Sequence, residues 1–198
     1  MKKTGLFLIL MLYLAVSPIF AQNKQSVSLF EFEIGTGLKA SNNVSAIDMG
    51  SFSELMSDRT EPGLNLFMEA RINIPTTAFD IGLQFSAHNF SRKWEDMMTI
   101  IYNFKSITTY VDYNYRKWNK ITPFVGLGLG FSPTELTYTY PNSSRRDEIE
   151  KTQPACFNPR IGVEVYDHIR LTFDWKIMTK TYSHIGISLG FAFGGGKR

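Results

Sequence analysis

Eight separate stretches of the chain place a bulky apolar residue at every second position, with small or charged residues between. Successive side chains of a β-strand point to opposite faces, so each stretch reads as a strand with one apolar and one polar face. In Ser28 to Lys39, Phe30, Phe32, Ile34 and Leu38 share one side, while Glu31, Glu33, Gly35, Gly37 and Lys39 share the other. Gly63 to Ile74, Phe79 to Ala87 and Ile107 to Tyr115 repeat the pattern in the first half. Pro123 to Phe131, Pro159 to Val165, Ile169 to Ile177 and His184 to Phe193 repeat it in the second. These lengths sit close to the roughly 9 to 11 residues that a tilted strand needs to cross hydrocarbon.

Alternation by itself also suits a soluble calyx with one wet face. The distribution of bulk and charge separates the two. A soluble barrel keeps its large apolar residues inside; here the face opposite the bulky residues is crowded with Gly, Glu, Asp, Arg and Lys, too small and too charged for an oily core. The connections alternate as well. Pro75 to Thr77, Trp118 to Lys120 and Asp167-His168 are tight, whereas Ala40 to Pro62, Asn89 to Ser106 and Ser132 to Asn158 are long, with a short last link near Met178 to Tyr182. Short turns at one end and long loops at the other mark outer-membrane barrels, with tight turns and chain ends in the periplasm. Only a closed sheet satisfies every backbone hydrogen bond in lipid. The expectation is therefore an all-β, eight-stranded antiparallel up-and-down transmembrane β-barrel, its first and last strands paired.

The chain start agrees. Lys2 and Lys3 precede the apolar run Gly5 to Val16, then Ser17-Pro18 and Ala21. That layout predicts a secretory signal over residues 1–21, cleaved before Gln22, with residues 22–198 forming the barrel. Loss of two lysines lowers the net charge from +3 to +1, which offers no argument for nucleic acid as a partner. Cys156 is the single cysteine, so no disulfide framework is available. Neither Cys nor His falls at metal-ligand spacing, and no cofactor or metal is expected.

An eight-stranded barrel is just wide enough inside for its own side chains. The inward set contains the acids Glu31, Glu33, Glu69, Asp80, Asp112, Glu164 and Asp174, and the bases Lys39, Arg71, Arg160, Arg170 and Lys176. In a narrow tube such charges persist only when paired or wetted, so the expectation is a structural salt-bridge plug. Gly126, Gly128 and Gly130 share that face; without a following helix they do not form a dinucleotide loop, and they leave room for long opposing side chains. For catalysis, His184 and Ser188 share a face but lie about 13 Å apart along the strand, beyond the reach of proton transfer. Asp80, Ser86 and His88 share a face but likewise lack direct contact along the strand, so no catalytic residues are assigned. Trp94, Met97, Met98 and Ile101 carry helical spacing, which fits either a short amphipathic turn in the second loop or an upward extension of the fourth strand.

The hairpin Val111 to Gly130 and the aromatic-ended last strand resemble the small outer-membrane β-barrel domain proteins common in Bacteroidota, over essentially Gln22 to Phe193. The resemblance implies that Gly186, Leu189, Phe191 and Phe193 form the signal read by the barrel-assembly machinery. It also implies outer-membrane lipid as the surroundings, and an envelope protein complex as a partner reached through the long loops. The function expected is that of a non-enzymatic surface or host-interaction barrel, or an accessory subunit of such a complex. A lipid-modifying enzyme and a small-solute conduit are the alternatives.

Overall fold

The computed structural model describes residues 28–41, 60–75, 77–94, 98–116, 120–139, 146–178 and 183–194. The expected signal segment lies outside them. Among the described residues eleven strands occur: β1 (Phe30–Ser41), β2 (Thr60–Glu61), β3 (Gly63–Asn73), β4 (Phe79–Trp94), β5 (Met98–Asn114), β6 (Ile121–Phe131), β7 (Thr134–Thr139), β8 (Arg146–Thr152), β9 (Ala155–Val165), β10 (Ile169–Lys176) and β11 (His184–Phe193). Eight of them form the wall, in the order β4-β3-β1-β11-β10-β9-β6-β5, and the pairing of β4 with β5 closes it. β1 and β11 run antiparallel in register from Phe32↔Phe193 to Ser41↔His184, so first and last strand meet as expected.

Burial alternates residue by residue, as β3 shows without exception. The outside carries Ile34, Leu66, Met68, Leu83, Val111, Leu127, Leu171 and Leu189, all exposed. The inside holds Arg71, Arg170, Lys176, Glu33 and Glu69, each nearly inaccessible. Charged residues are almost never fully buried in water-soluble proteins, and no such protein presents a continuous wall of leucine, isoleucine and phenylalanine to water. Hydrocarbon is the solvent that suits this exterior.

At the narrow-turn end, the register partners Val165 and Ile169 are joined by three residues, Tyr166 to His168, one more than the expected Asp167-His168; Tyr166 and Asp167 both take positive φ (54° and 58°), and His168 N donates to Val165 O at 3.2 Å. At the opposite end the structure corrects two expectations. Asn89 to Ser106 is not a long loop: β4 runs on to Trp94, β5 starts at Met98, and the two pair continuously from Phe79↔Tyr113 to Trp94↔Met98. Of the two readings of Trp94 to Ile101, the upward extension of the fourth strand is the one the structure shows: Trp94, Met98 and Ile101 have backbone partners on the adjacent strand, while Met97 lies outside the described residues. Ser132 to Asn158 is likewise largely strand. β7 continues the line of β6 past Pro133 and pairs with β5 from Phe104↔Thr134 to Thr99↔Thr139, while β8 leads into β9 across Pro154. The prolines bend these strands without severing them, since Pro133 O accepts from Lys105 N (3.0 Å) and Pro154 O from Ser132 N (3.0 Å). The upper halves of β4 and β5, together with β2, β7 and β8, thus form a sheet standing above one side of the barrel. Most of the first long connection (42–59) lies outside the described residues.

Candidate functional site

The lumen is built in layers. Arg160, on β9, forks between two carboxylates from other strands: Nη1 and Nη2 donate to Glu69 at 2.7 Å each, Nε donates to Asp112 at 2.9 Å and Nη2 to Asp112 at 2.7 Å. Its guanidinium carbon stands 3.5 Å from the centre of the Tyr110 ring. Arg170 also donates to Asp112, approaches Glu164 (3.7 Å) and Glu33 (3.9 Å), and lies 3.6 Å above the Phe124 ring. Arg71 sits among Glu31 (3.1 Å), Glu33 (3.2 Å) and Glu164 (3.6 Å). Bidentate forks of this kind suit arginine, whose planar donors match carboxylates two at a time.

Register explains the need for the arginines. Glu33 lies directly opposite Glu69, and Asp80 opposite Asp112, like charges that repel across a strand pair. It also explains the glycines: Arg71 faces Gly82, Arg160 faces Gly126, Arg170 faces Gly190, and Tyr110 faces Gly128. A Cβ at Gly128 would stand 2.5 Å from the Tyr110 ring, and one at Gly126 would overlap the Asp112 carboxylate. Each missing side chain is the space into which a large one leans.

All eleven assigned lumen residues, and Lys39, point inward; Glu164 is the most accessible, with a 12% exposed side chain. Asp174 bonds Lys39 in preference to Arg160, its register partner. One contributor escapes the alternation argument. Arg116, beyond the end of β5, folds back under the barrel to donate to Asp80, to Asn73 Oδ1 (3.1 Å) and to the Thr77 carbonyl (3.0 Å). It sits at a turn, where period two has no meaning, and its only sequence signal is a base next to a tight turn.

Above the charged layers the lining turns polar and then aromatic. Ser106 and Ser132 share a 2.7 Å hydrogen bond, and Thr108 lies beside the buried Cys156 thiol. Next, Phe90, Tyr102, Phe104 and Leu136 pack into one apolar cluster across the mouth. His88 stacks on Phe104 (4.6 Å, 6°) and lies 4.3 Å from the His184 ring. The histidines therefore meet aromatic rings and each other, and no hydrogen bond joins them to Ser188, Asp80 or Ser86 among the described residues. No group of three or more His, Cys, Asp or Glu residues among those described could hold a metal. The space left beside Glu33, Lys39, Glu69, Tyr110, Arg160 and Asp174 is about 10 Å³, room for roughly one water molecule.

In the last strand, Leu189, Phe191 and Phe193 face outward and are exposed, with Phe191 and Phe193 edge to face at 4.8 Å; Gly186 faces inward beside Lys39.

No protein-family model matches the chain, and neither does any curated protein. Solved structures do share its fold. Neisserial surface protein A superposes with a TM-score of 0.54 at 13% identity, over 86% of this chain and 99% of that one. Ail, the attachment invasion locus protein of Yersinia pestis, gives 0.54 at 10% identity, over 85% and 99%. With its hydrocarbon-facing wall and its charge-filled interior, the chain is an eight-stranded antiparallel β-barrel of the outer membrane.

Proposed function

We propose that the protein acts at the cell surface through the sheet formed by the upper parts of β4 and β5 with β7 and β8, and that the barrel below serves as its pedestal. The observation that carries this reading is a contrast along one continuous wall. Within the membrane the interior is crossed by ion pairs, with about 10 Å³ left in the cavity beside Glu33, Glu69 and Arg160; above it, four strands extend well past the apolar band. A lumen so filled gives a solute no path, which counts against the conduit. Extending paired strands fixes backbone that a loop would leave free, and a rigid platform suits recognition of a partner.

The edge strand β8 reads RDEIEKT, and a register shift falls between Leu136 and Thr137 where it meets β7. Charge and irregularity on an edge discourage strand addition, so a partner is recognised by side chains on the platform and not by a borrowed strand. The names of the two similar structures, a surface protein and an attachment invasion locus protein, are in keeping with a surface role. The kinship with Bacteroidota barrel-domain proteins, and the reading of Gly186, Leu189, Phe191 and Phe193 by the assembly machinery, belong to the same proposal. An accessory role in an envelope complex uses the same platform.

The test is attachment of expressing cells to cultured epithelial cells, with gentle-detergent pull-down as a second readout. Replacing Thr134 to Thr152 by a short turn should abolish attachment or partner recovery while the barrel keeps its folded gel mobility. Arg71→Leu should leave both intact. Loss of both in Arg71→Leu, with the shortened protein unaffected, would refute the proposal.

A further inference from the structure

The lipid-facing wall of β1, β3, β4 and β5 carries a groove of about 550 Å³. Ile34, Met68, Phe85 and Ile107 form one register row across its lower part, and Ala87 is the small member of the next row up, between Leu66 and Lys105. Lys105 lies at its upper end, directly opposite Ala87. Its side chain is exposed, points out of the barrel and makes no ion pair among the described residues, whereas the outward positions below it on β5, Ile107, Thr109 and Val111, carry no charge. A second groove of about 510 Å³, around Tyr113, Pro123, Val125, Ile161 and Phe173, has similar size and apolar walls but no cation.

Apolar shape alone selects nothing in a bilayer, because lipid tails are as apolar as the groove. A fixed ammonium at the headgroup end of one groove does select, for a lipid whose head is anionic. Lys105 lies toward the end of β5 away from the tight turns, which places it at the outer leaflet, where the anionic lipid is a phosphorylated glycolipid. We propose that the Ala87 groove seats one acyl chain of a phosphorylated outer-leaflet glycolipid, with the lipid phosphate on Lys105. One lysine near an anionic head corresponds to about five-fold in occupancy, the equivalent of about 1 kcal/mol.

Wild type, Lys105→Gln, Ala87→Trp and Val125→Trp would be extracted from the outer membrane in mild detergent and their retained lipid weighed by native mass spectrometry. Wild type should carry one phosphorylated glycolipid, Lys105→Gln about five-fold less, and Ala87→Trp none. Val125→Trp, which fills the second groove, should match wild type. In nanodiscs of phosphatidylethanolamine, added diphosphoryl lipid A should bind wild type in preference to Lys105→Gln, and dephosphorylated lipid A should not distinguish them. Equal retention by wild type and Lys105→Gln, a glycerophospholipid in place of the glycolipid, or equal loss in Val125→Trp would overturn the proposal. If Ala87→Trp fails to reach folded gel mobility, the Lys105→Gln comparison decides.

Discussion

Replacing Arg160 by leucine tests whether the lumen charges hold the barrel together. The residue is buried and makes four hydrogen bonds to two carboxylates. Its removal does not orphan them equally. Asp112 keeps Arg170, whereas Glu69 keeps only the neutral amide of Gln84, at 2.9 Å. Breaking a buried pair costs about 3 to 5 kcal/mol, chiefly because one charge is left unpaired. Arg160→Leu should fall in that range, with Glu69 responsible for most of it. Glu69→Gln added to Arg160→Leu should then recover half or more of the loss by removing the stranded charge. Asp112→Asn added instead should recover none, because it takes from Arg170 its hydrogen-bonded carboxylate. Urea unfolding in detergent micelles, read by heat-dependent gel mobility, measures all four proteins. The reasoning fails if Arg160→Leu unfolds like wild type, or if the two double variants recover to the same degree.

Further outcomes follow from the outer wall, the glycines and the orientation. Leu83→Arg, on the outward face midway along the membrane part of β4, should impair assembly by about 2 to 4 kcal/mol, seen as loss of the folded band in refolding titrations. Gly126→Val should destabilise the barrel by thermal melt, since its Cβ collides with the Asp112 carboxylate that holds Arg160; a valine at outward Leu127 should be mild. Trypsin added to intact cells should cut after Lys151, whose side chain is 67% exposed in β8, and spare Lys120 in the turn at the opposite end. N-terminal sequencing of the envelope protein should begin at Gln22.

The membrane-embedded half of the molecule was legible because lipid enforces a strict rule. A strand in hydrocarbon can place only apolar groups outward, so period two is written without interruption from Phe79 to Ala87 and from Ile121 to Phe131. The rule lapses at the membrane boundary. Beyond Ala87 the outward residues become Asn89 and Ser91, and beyond Ile107 they become Lys105 and Asn103, so polar residues appear on both faces and the stretch reads as loop. The inward phase nevertheless persists: His88 and Phe90 continue Ser86, and Tyr102 and Phe104 continue Ser106 and Thr108. That surviving half-pattern was the available signal for the platform. Pairings across the lumen were not legible at all. Asp174 and Arg160 are register partners, yet one bonds Lys39 and the other Glu69 and Asp112, a choice made by three-dimensional reach and not by sequence position.

The change of lining along the lumen suggests why one small chain can combine a plug with a platform. Ion pairs suit the membrane region because the wall there has no other way to fill a tube whose outer face already holds the large apolar residues. Above the membrane the outer face meets water and can be polar, which frees the inner face to carry a conventional core: Phe90, Tyr102, Phe104 and Leu136. The same strands therefore exchange an inside-out arrangement for an ordinary one near the Ser106–Ser132 pair. Below that level a mutation strands a charge; above it a mutation leaves a cavity. Phe104→Ala, at about 3 to 5 kcal/mol for a fully buried aromatic, should accordingly loosen the platform while the membrane-embedded barrel stays folded. Hydrogen exchange confined to β4, β5 and β7 above Ser106 would show that separation, and exchange spreading down to Asp112 would show that the two layers unfold as one.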